Sequence, residues 1–152
     1  MDYIHAMRQK IGHSPLILAG AAVLILNERD ELLMLLRTDN GCWGVPGGSM
    51  ELGERMEDTA ARETFEECGL RLHDLSLYDV FSGPELIYQY PNGDITYNVT
   101  AAYVTRRFSG EITLDPREHT QWAFFPLDAL PANISPPIRV ILAKFTASVQ
   151  NP

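Results

Sequence analysis

The 152-residue chain has few cysteines, a deficit of positive charge and no long apolar segment. Cys42 and Cys68 are its only cysteines, too few for the disulfide framework of a small secreted domain. Twelve basic residues stand against twenty acidic ones, and the formal net charge of −8 argues against a nucleic-acid-binding surface. Repeats and low-complexity tracts are also missing. We therefore expect a single domain over residues 1–152, with residues 1–15 as an N-terminal extension.

The longest apolar run, Leu16 to Leu26, follows Arg8 and Lys10 and so imitates the start of a signal peptide. Its eleven residues are too few to span a bilayer as a helix. Asn27 begins a polar turn where a cleavage region would be needed. We therefore expect a buried strand here, no membrane association, and a cytoplasmic protein with reduced thiols.

Residue periodicity and turn residues predict the other elements. A short helix is expected over residues 2–11, and a hairpin of Leu16–Leu26 with Glu31–Arg37. Further expected strands are Arg71–Phe81, Glu85–Tyr90, Ile95–Arg106 and Gln121–Phe125, the middle two pairing across the turn Pro91–Asp94. A final helix begins after Ser135, with a core-facing stripe of Ile138, Ile141, Leu142, Phe145 and Val149. This pattern predicts a mixed sheet with a helix on each face.

The segment from Gly48 to Leu70 reads GSMELGERMEDTAARETFEECGL and combines an acidic helix with glycine boundaries. Glu63, Glu66 and Glu67 stand at i, i+3 and i+4, so they share about 100° of arc on a helix. The opposite side carries the residues that we expect to pack on the core: Ala61, Phe65 and Cys68. Like charges at these spacings destabilise a helix, by about a few tenths of a kcal/mol per pair. A hard divalent cation with oxygen ligands would relieve the repulsion, and Mg2+ is the usual ion beside phosphates.

The flanking residues support a defined site rather than a solvated acidic face. Gly47 and Gly48 follow Pro46, a combination that forms turns and lets backbone approach a ligand. Glu54 precedes the helix near its positive N-terminal end. Gly69 stands where a left-handed residue closes a helix. Strand, glycine turn, acidic helix and glycine stop form one consistent unit.

This unit resembles the Nudix box, G-x5-E-x7-R-E-U-x-E-E-x-G-U, in which U is a bulky aliphatic residue. The matching positions are Gly48, Glu54, Arg62, Glu63, Glu66, Glu67, Gly69 and Leu70. Thr64 departs from the pattern at an aliphatic position, and its volume is close to that of valine. The resemblance covers the chain from about residue 17 onward. It implies an α/β fold, a Nudix-type α/β/α sandwich with a mixed β-sheet between helices.

The resemblance also implies a Mg2+-dependent pyrophosphohydrolase, with Mn2+ as a substitute ion. Its substrate would be a small nucleotide in which a nucleoside diphosphate is linked to another moiety, such as ADP-ribose, a nucleoside triphosphate or a dinucleoside polyphosphate. The implied metal ligands are Glu63, Glu66, Glu67 and the Gly48 carbonyl, with Glu51 as a helper. Arg62 would orient a carboxylate through a bidentate pair, and Glu54 would anchor the junction between loop and helix.

The general base stays open among Glu66, Glu67 and a loop residue, Glu118. Three further residues are candidates for substrate contacts. Arg37 would bind a terminal phosphate, Trp43 would stack on a base or pack against the glycine loop, and Tyr88 would line a nucleobase pocket. The four histidines show no metal-ligand spacing, and we interpret them as structural or surface residues: His5, His13, His73 and His119.

Two other functions are compatible with parts of the pattern. A non-catalytic Nudix-type module that senses a nucleotide sugar is the main alternative, although such modules typically lose box carboxylates and this chain retains all of them. An isopentenyl diphosphate isomerase would need a different catalytic apparatus, which the sequence does not show. An apolar surface around the N-terminal helix favours a homodimer.

Overall fold

A computed structural model describes residues 2–150 and contains helices on both sides of β-structure. The helices are α1 (Tyr3–Ile11), α2 (Met56–Cys68) and α3 (Pro136–Gln150). The strands are β1 (Leu16–Ile25), β2 (Glu31–Arg37), β3 (Trp43–Gly44), β4 (Gly47–Ser49), β5 (Arg71–His73), β6 (Ser76–Phe81), β7 (Ile87–Gln89), β8 (Ile95–Thr105), β9 (Arg107–Ser109) and β10 (His119–Pro126). Within residues 2–150, no helix combines the length and the apolar composition that a bilayer crossing requires.

The largest sheet has five strands and is mixed, as predicted. Its order is β4-β1-β8-β6, and β7 pairs with another part of β8. Strand β1 runs parallel to β8 and antiparallel to β4. A three-stranded sheet of order β10-β2-β3 and a two-stranded ladder of β5 and β9 complete the β-structure of residues 2–150.

The second half of β1 is buried on both faces and divides the core in two. Val23, Leu24 and Ile25 have no exposed surface. Leu24 belongs to the cluster that contains Ile141, Leu142 and Phe145 of α3. Val23 and Ile25 belong to the cluster that contains Ala60 and Cys68 of α2. Helices therefore cover opposite faces of the sheet, and the predicted α/β/α sandwich is confirmed.

The predicted hairpin of the first two strands is wrong in its pairing. Strand β2 has the predicted bounds, but it pairs with β10 and β3. A single bridge between Leu26 and Leu32 connects it to the end of β1. The reason is that β1 already has a partner on each side, β4 and β8.

The predicted strand over residues 71–81 is divided into two. Asp74 has a φ of 53°, a left-handed conformation that ends β5 and redirects the chain. After this break β5 pairs with β9, whereas β6 pairs with β8. The expected pairing across Pro91–Asp94 is confirmed as β7 with β8, and a 3-10 turn at Pro84–Leu86 precedes β7.

The predicted core-facing side of helix α2 is confirmed for Cys68, which is fully buried, and is wrong for Ala61 and Phe65. Ala61 is exposed, and Phe65 is 48% exposed beneath the guanidinium of Arg71. The buried residues of α2 are Thr59, Ala60, Thr64, Glu67 and Cys68. The side that carries Glu67 therefore turns toward the sheet, because α2 packs on β4, where glycines leave room for it.

Candidate functional site

The site is built where α2 meets the glycines of β4 and β1. A Cβ atom on Gly20 would overlap the carbonyl oxygen of Gly48, and one on Gly47 would overlap the carbonyl oxygen of Ala21. A Cβ atom on Gly48 would overlap the carboxylate of Glu63. The missing side chains therefore let two strands and the acidic helix approach more closely than other residues allow.

Arg62 joins the loop after β4 to the helix. Its guanidinium donates to both carboxylate oxygens of Glu54, to the carbonyl oxygen of Ser49 at 3.0 Å, and to Glu63 Oε1 at 2.9 Å. A longer contact of 3.3 Å reaches Glu66 Oε2. Because the guanidinium adjoins it, the pKa of Glu54 falls to about 2. Arg62 thus fixes the orientation of several carboxylates at once.

Glu54 lies at the junction between loop and helix that was predicted for it. Its Oε2 atom accepts hydrogen bonds from the Thr59 hydroxyl at 2.7 Å and from the Glu51 N–H at 3.0 Å. Glu51 itself points elsewhere, because its carboxylate accepts a hydrogen bond from the Tyr3 N–H at 3.0 Å. The helper role that the resemblance implied for Glu51 therefore has no support from its position, which stabilises the start of α1.

Glu63 and Glu67 are the two enclosed carboxylates. Glu67 is only 7% exposed, and its Oε2 atom accepts a hydrogen bond from the Gly47 N–H at 3.1 Å. Burial raises the pKa of Glu67 well above its usual value. Burial also raises the pKa of Glu63 to about 7, although the guanidinium of Arg62 acts in the opposite direction. Both groups carry a desolvation cost that a cation would offset.

One acidic cavity of about 340 Å³ brings the predicted residues together. Glu63, Glu67 and Glu118 line it, and so do Gly48 and Arg37. The loop that carries Glu118 is held in place by the Thr38 N–H, which donates to the Glu118 carbonyl oxygen at 2.9 Å. Glu66 does not line this cavity, and its side chain is 57% exposed.

The donor set of this cavity fits a hard divalent cation in its chemistry. Glu63 and Glu67 face the cavity from α2, and Glu118 faces it from its loop together with Arg117, which is paired with Asp115. Carboxylate oxygens are the ligands that Mg2+ prefers. The overlap of a Gly48 Cβ with Glu63 shows that this carboxylate lies directly on the glycine strand. Within residues 2–150, no three acidic, histidine or cysteine side chains already surround one point as ligands. The ligand role of Glu66 accordingly rests on the resemblance alone.

A second cavity of about 130 Å³ adjoins the acidic one and shares part of its wall. Arg37, Tyr90 and His119 line both cavities. Tyr88 lines the second one only, where its ring meets Tyr90 edge to face at 4.7 Å between centroids. The Asn40 amide donates to the Tyr88 hydroxyl at 2.7 Å. Tyr88 therefore lies in a partly aromatic pocket beside the acidic cavity.

Arg37 stands between the two cavities and is already paired. Its guanidinium donates to Asp39 through two hydrogen bonds, of 2.9 and 2.7 Å. This pair raises the pKa of Arg37 and lowers that of Asp39. The same planar guanidinium geometry suits a phosphate group. Sequence reasoning identified Arg37 and missed Asp39, although the Arg-x-Asp spacing at a strand end could have indicated it.

Trp43 lies apart from both cavities. Its ring meets Phe125 edge to face at 5.0 Å between centroids, and its backbone bridges to Ile134. It packs against the cluster that contains the α3 residues. Its position supports the packing alternative and not the stacking of a base on its ring.

His119 is a site residue that sequence reasoning missed. It is 4% exposed, and its Nδ1 atom is enclosed without a hydrogen-bond partner. Burial lowers its pKa to about 4, and the nearby charge of Arg37 acts in the same direction. We expected His119 to be a structural or surface residue, and the sequence did not predict that it would line both cavities. Its position directly after Glu118 was the only available signal.

The fold and the site define a class of protein: an α/β/α sandwich whose acidic helix packs on a glycine strand beside a carboxylate-lined cavity. Comparison with known sequences agrees with this class. A family model for the NUDIX domain matches residues 17–145. The chain therefore belongs to the Nudix family.

Individual relatives extend the comparison. Over 73 residues, the chain is 38% identical to a MutT-like protein of Streptomyces ambofaciens, covering 48% of this chain and 47% of the relative. Over 110 residues, it is 30% identical to an ADP-ribose pyrophosphatase of Methanocaldococcus jannaschii, covering 70% of this chain and 61% of the relative. The chain thus spans less than two thirds of the length of these curated relatives.

A solved structure supports the fold. The crystal structure of a MutT NUDIX hydrolase from Burkholderia pseudomallei matches with a TM-score of 0.72 and 29% sequence identity. The match covers 84% of this chain and 97% of that chain. The arrangement of helices and mixed sheet is therefore that of known Nudix hydrolases.

Proposed function

We propose that this protein is a divalent-cation-dependent pyrophosphohydrolase that acts on a small nucleotide substrate, with Mg2+ as the ion and Mn2+ as its substitute. The observation that supports this proposal is the acidic cavity, where Glu63, Glu67 and Glu118 meet Arg37. The substrate contains a nucleoside diphosphate linked to another moiety. The ADP-ribose pyrophosphatase among its relatives is one example of this chemistry.

Glu63 and Glu67 are the residues that hold the cation, with the backbone of Gly48. Both carboxylates are enclosed, and burial raises the pKa of each, that of Glu63 in spite of the adjoining guanidinium of Arg62. Glu66, on the exposed side of the helix, adds negative charge to the approach and interacts with Arg62. The bound ion supplies Lewis-acid stabilisation of the oxygen that leaves during hydrolysis.

Glu118 is our choice for the general base. Glu118 is exposed and lines the cavity, and within residues 2–150 its carboxylate makes no ion pair or hydrogen bond. It accepts a proton from water while the water oxygen attacks phosphorus and the bridging P–O bond breaks. Two phosphorylated products leave. Glu67 is less suited to this step, because it is enclosed and fixed by the Gly47 N–H.

Arg37 and Tyr88 contact the substrate in this proposal. Arg37 faces both cavities, so its guanidinium is placed to bind a phosphate between the cation and the nucleoside. Tyr88 lines the adjoining pocket and is positioned by its hydrogen bond from Asn40. The nucleoside therefore lies in the smaller cavity, and the diphosphate extends into the acidic one.

The central test is turnover by the purified protein on a panel of nucleotides with Mg2+. We expect release of a nucleoside monophosphate from at least one member of the panel. Glu67→Gln should lower kcat/KM by about two orders of magnitude or more, because it removes a ligand at the cation. Glu28→Gln, the same change at an exposed turn, is the matched control and should leave the rate unchanged. Full activity in Glu67→Gln would contradict the assignment.

The separate roles of Glu67 and Glu118 can be resolved by pairing kinetics with calorimetry. Glu118→Gln should lower kcat by about a hundredfold or more while the cation affinity measured by titration stays close to that of the wild type. Glu67→Gln should weaken cation binding itself. Equal losses of cation affinity in both variants would assign Glu118 to the ligands instead.

The sensor alternative makes an opposite prediction in the same experiments. A sensor would bind a nucleotide tightly in calorimetry and show no turnover with Mg2+ or Mn2+. The enclosed carboxylates favour the enzyme, because a module that only binds nucleotides has no need for a costly buried Glu67.

Two properties of the whole protein are also proposed. The free thiols of Cys42 and Cys68 support a reducing, cytoplasmic setting. Ile17 and Leu52, 74% and 81% exposed, lie beside α1 and support a homodimer through this apolar surface. Light scattering on wild type and Leu52→Asp would test the dimer, with dissociation expected in the variant.

A further inference from the structure

His119 is placed by an irregularity at the start of β10. Opposite Arg37 of β2, the ladder register shifts between His119 and Gln121. Thr120 and Gln121 are both exposed, so the usual alternation of a strand is interrupted here. Such bulges re-aim side chains and are common beside functional sites. In this chain the bulge directs His119 inward, where it is buried and lines both cavities.

The surroundings of the ring determine which nitrogen carries the proton. Of the two nitrogen atoms of the His119 ring, only Nδ1 is enclosed without a hydrogen-bond partner. A buried N–H without an acceptor costs about 1–3 kcal/mol, so the neutral ring keeps its proton on Nε2 instead. Burial and, after it, the charge of Arg37 oppose a second proton and lower the pKa of His119 to about 4. The ring is therefore a neutral donor with a single N–H.

The position of this donor matches the chemistry of the proposed substrate. Arg37, Tyr90 and His119 line the wall shared by the cavities, so a ligand that occupies both passes the imidazole. A diphosphate offers oxygen acceptors there and no donors. We propose that His119 donates a hydrogen bond from Nε2 to a phosphoryl oxygen of the substrate at the junction between the two cavities. This role depends on the proposed function. It differs from the role of Arg37, because the neutral His119 ring donates a hydrogen bond without adding positive charge to the site.

Three substitutions of His119 separate this role from simple filling of space. The amide nitrogen of Gln lies near the position of Nε2, that of Asn lies near Nδ1, and Leu removes both donors while keeping volume. We expect His119→Leu and His119→Asn to weaken binding of α,β-methylene-ADP or α,β-methylene-GDP with Mg2+ by about ten- to a hundredfold. His119→Gln should recover most of that loss. His73→Leu, at an exposed histidine, is the control.

Adenosine and guanosine, which lack phosphate, identify the acceptor. Their affinities should not distinguish Gln from Leu at position 119, because the contact is to a phosphoryl oxygen. If His119 were purely structural, the loss of affinity in each variant would follow its loss of thermal stability and would not depend on where the variant places an N–H donor. Equal binding of the diphosphate analogues by the Gln, Asn and Leu variants overturns the proposal, as does a Gln-specific gain with the nucleosides.

A measurement without any ligand tests the ring state. Long-range proton–nitrogen spectra of the wild type, assigned by the signals that His119→Gln removes, should show the Nε2–H tautomer at pH 7. An Nδ1–H tautomer or a doubly protonated ring at that pH overturns the inference even if the enzyme is active. The proposed function fails differently, through absence of turnover in the wild type, so the two failures are distinguishable.

Discussion

Gly48 has no side chain, and this absence leaves the space that the charged side chain of Glu63 occupies. The carboxylate of Glu63 occupies the space where the Cβ atom of any other residue at position 48 would lie. Gly48→Ala should therefore displace the Glu63 carboxylate at small cost to the stability of the fold, because the overlapping atoms are the far end of a flexible side chain. We also expect at least about a tenfold loss of kcat/KM, because a ligand of the cation moves. Urea unfolding and steady-state kinetics would measure the two effects.

Gly44→Ala provides the comparison for that variant. A Cβ atom on Gly44 would make an ordinary contact of 3.9 Å with the Arg37 side chain, so little should shift. A loss in Gly44→Ala as large as in Gly48→Ala would mean that the overlap with Glu63 is not the cause.

From the sequence we could identify the carboxylates of the site, but not which of them would be buried. Glu63 and Glu67 share an arc of the helix, and both line one cavity with Glu118. Residue spacing could not show that Glu67 faces the core, because a helix normally buries its apolar side. That outcome depends on the glycines of the neighbouring strand. The burial of His119 in the cavity wall could not be predicted for a similar reason, since it lies beside a bulge in β10.

At the scale of elements, the end of α2 is fixed by Gly69. It has a φ of 76°, and a Cβ atom there would lie 3.2 Å from the carbonyl oxygen of Glu111. Gly69→Ala should lower the free energy of unfolding by about 1–2 kcal/mol, because alanine is unfavourable in the left-handed conformation. The close contact of the new Cβ atom with the Glu111 carbonyl oxygen should lower it further. Thermal unfolding of the wild type and Gly69→Ala would measure this loss, and equal stability of the two would contradict the account.

Elements with strong local patterns were predictable, and their partners were less so. The bounds of β2 and the start of α3 match the expectations from turn residues and periodicity. Strand pairing depends on contacts that are distant in sequence, so the β1–β2 hairpin was predicted wrongly. The three-residue strands β4 and β9 are too short to leave a periodic signal. Yet β4 carries Gly48 and forms part of the wall of the acidic cavity.

At the scale of the whole molecule, stability should depend on pH in a direction set by the enclosed carboxylates. The folded state raises the pKa of Glu63 from its usual 4.5 to about 7, so it binds a proton more readily than the unfolded chain between these values. The free energy of unfolding therefore decreases as pH rises through this window, and Glu67 acts in the same direction. His119 acts oppositely, but only between its folded value of about 4 and its usual 6.5.

Above pH 6.5 the carboxylates dominate, which gives a clear prediction for the metal-free protein. Between pH 6.5 and pH 8 we expect a loss of at least about 1 kcal/mol in the free energy of unfolding. Mg2+ at pH 8 should restore stability, because it binds the ionised carboxylates of the folded state. Urea unfolding in EDTA and in Mg2+ would measure both changes. A pH profile in EDTA that is identical in wild type and Glu67→Gln would show that Glu67 is not the source.

The parallel pairing of β1 with β8 has a consequence for how the chain is made. Leu16 lies opposite Thr96, eighty positions further along, so β1 cannot reach its main partner until most of the chain has left the ribosome. Pairing between such distant segments slows folding. During that interval the most apolar stretch of the protein stays unprotected and prone to aggregation. Yield in synthesis and refolding should therefore improve at lower temperature and lower concentration, conditions that slow self-association of nascent chains.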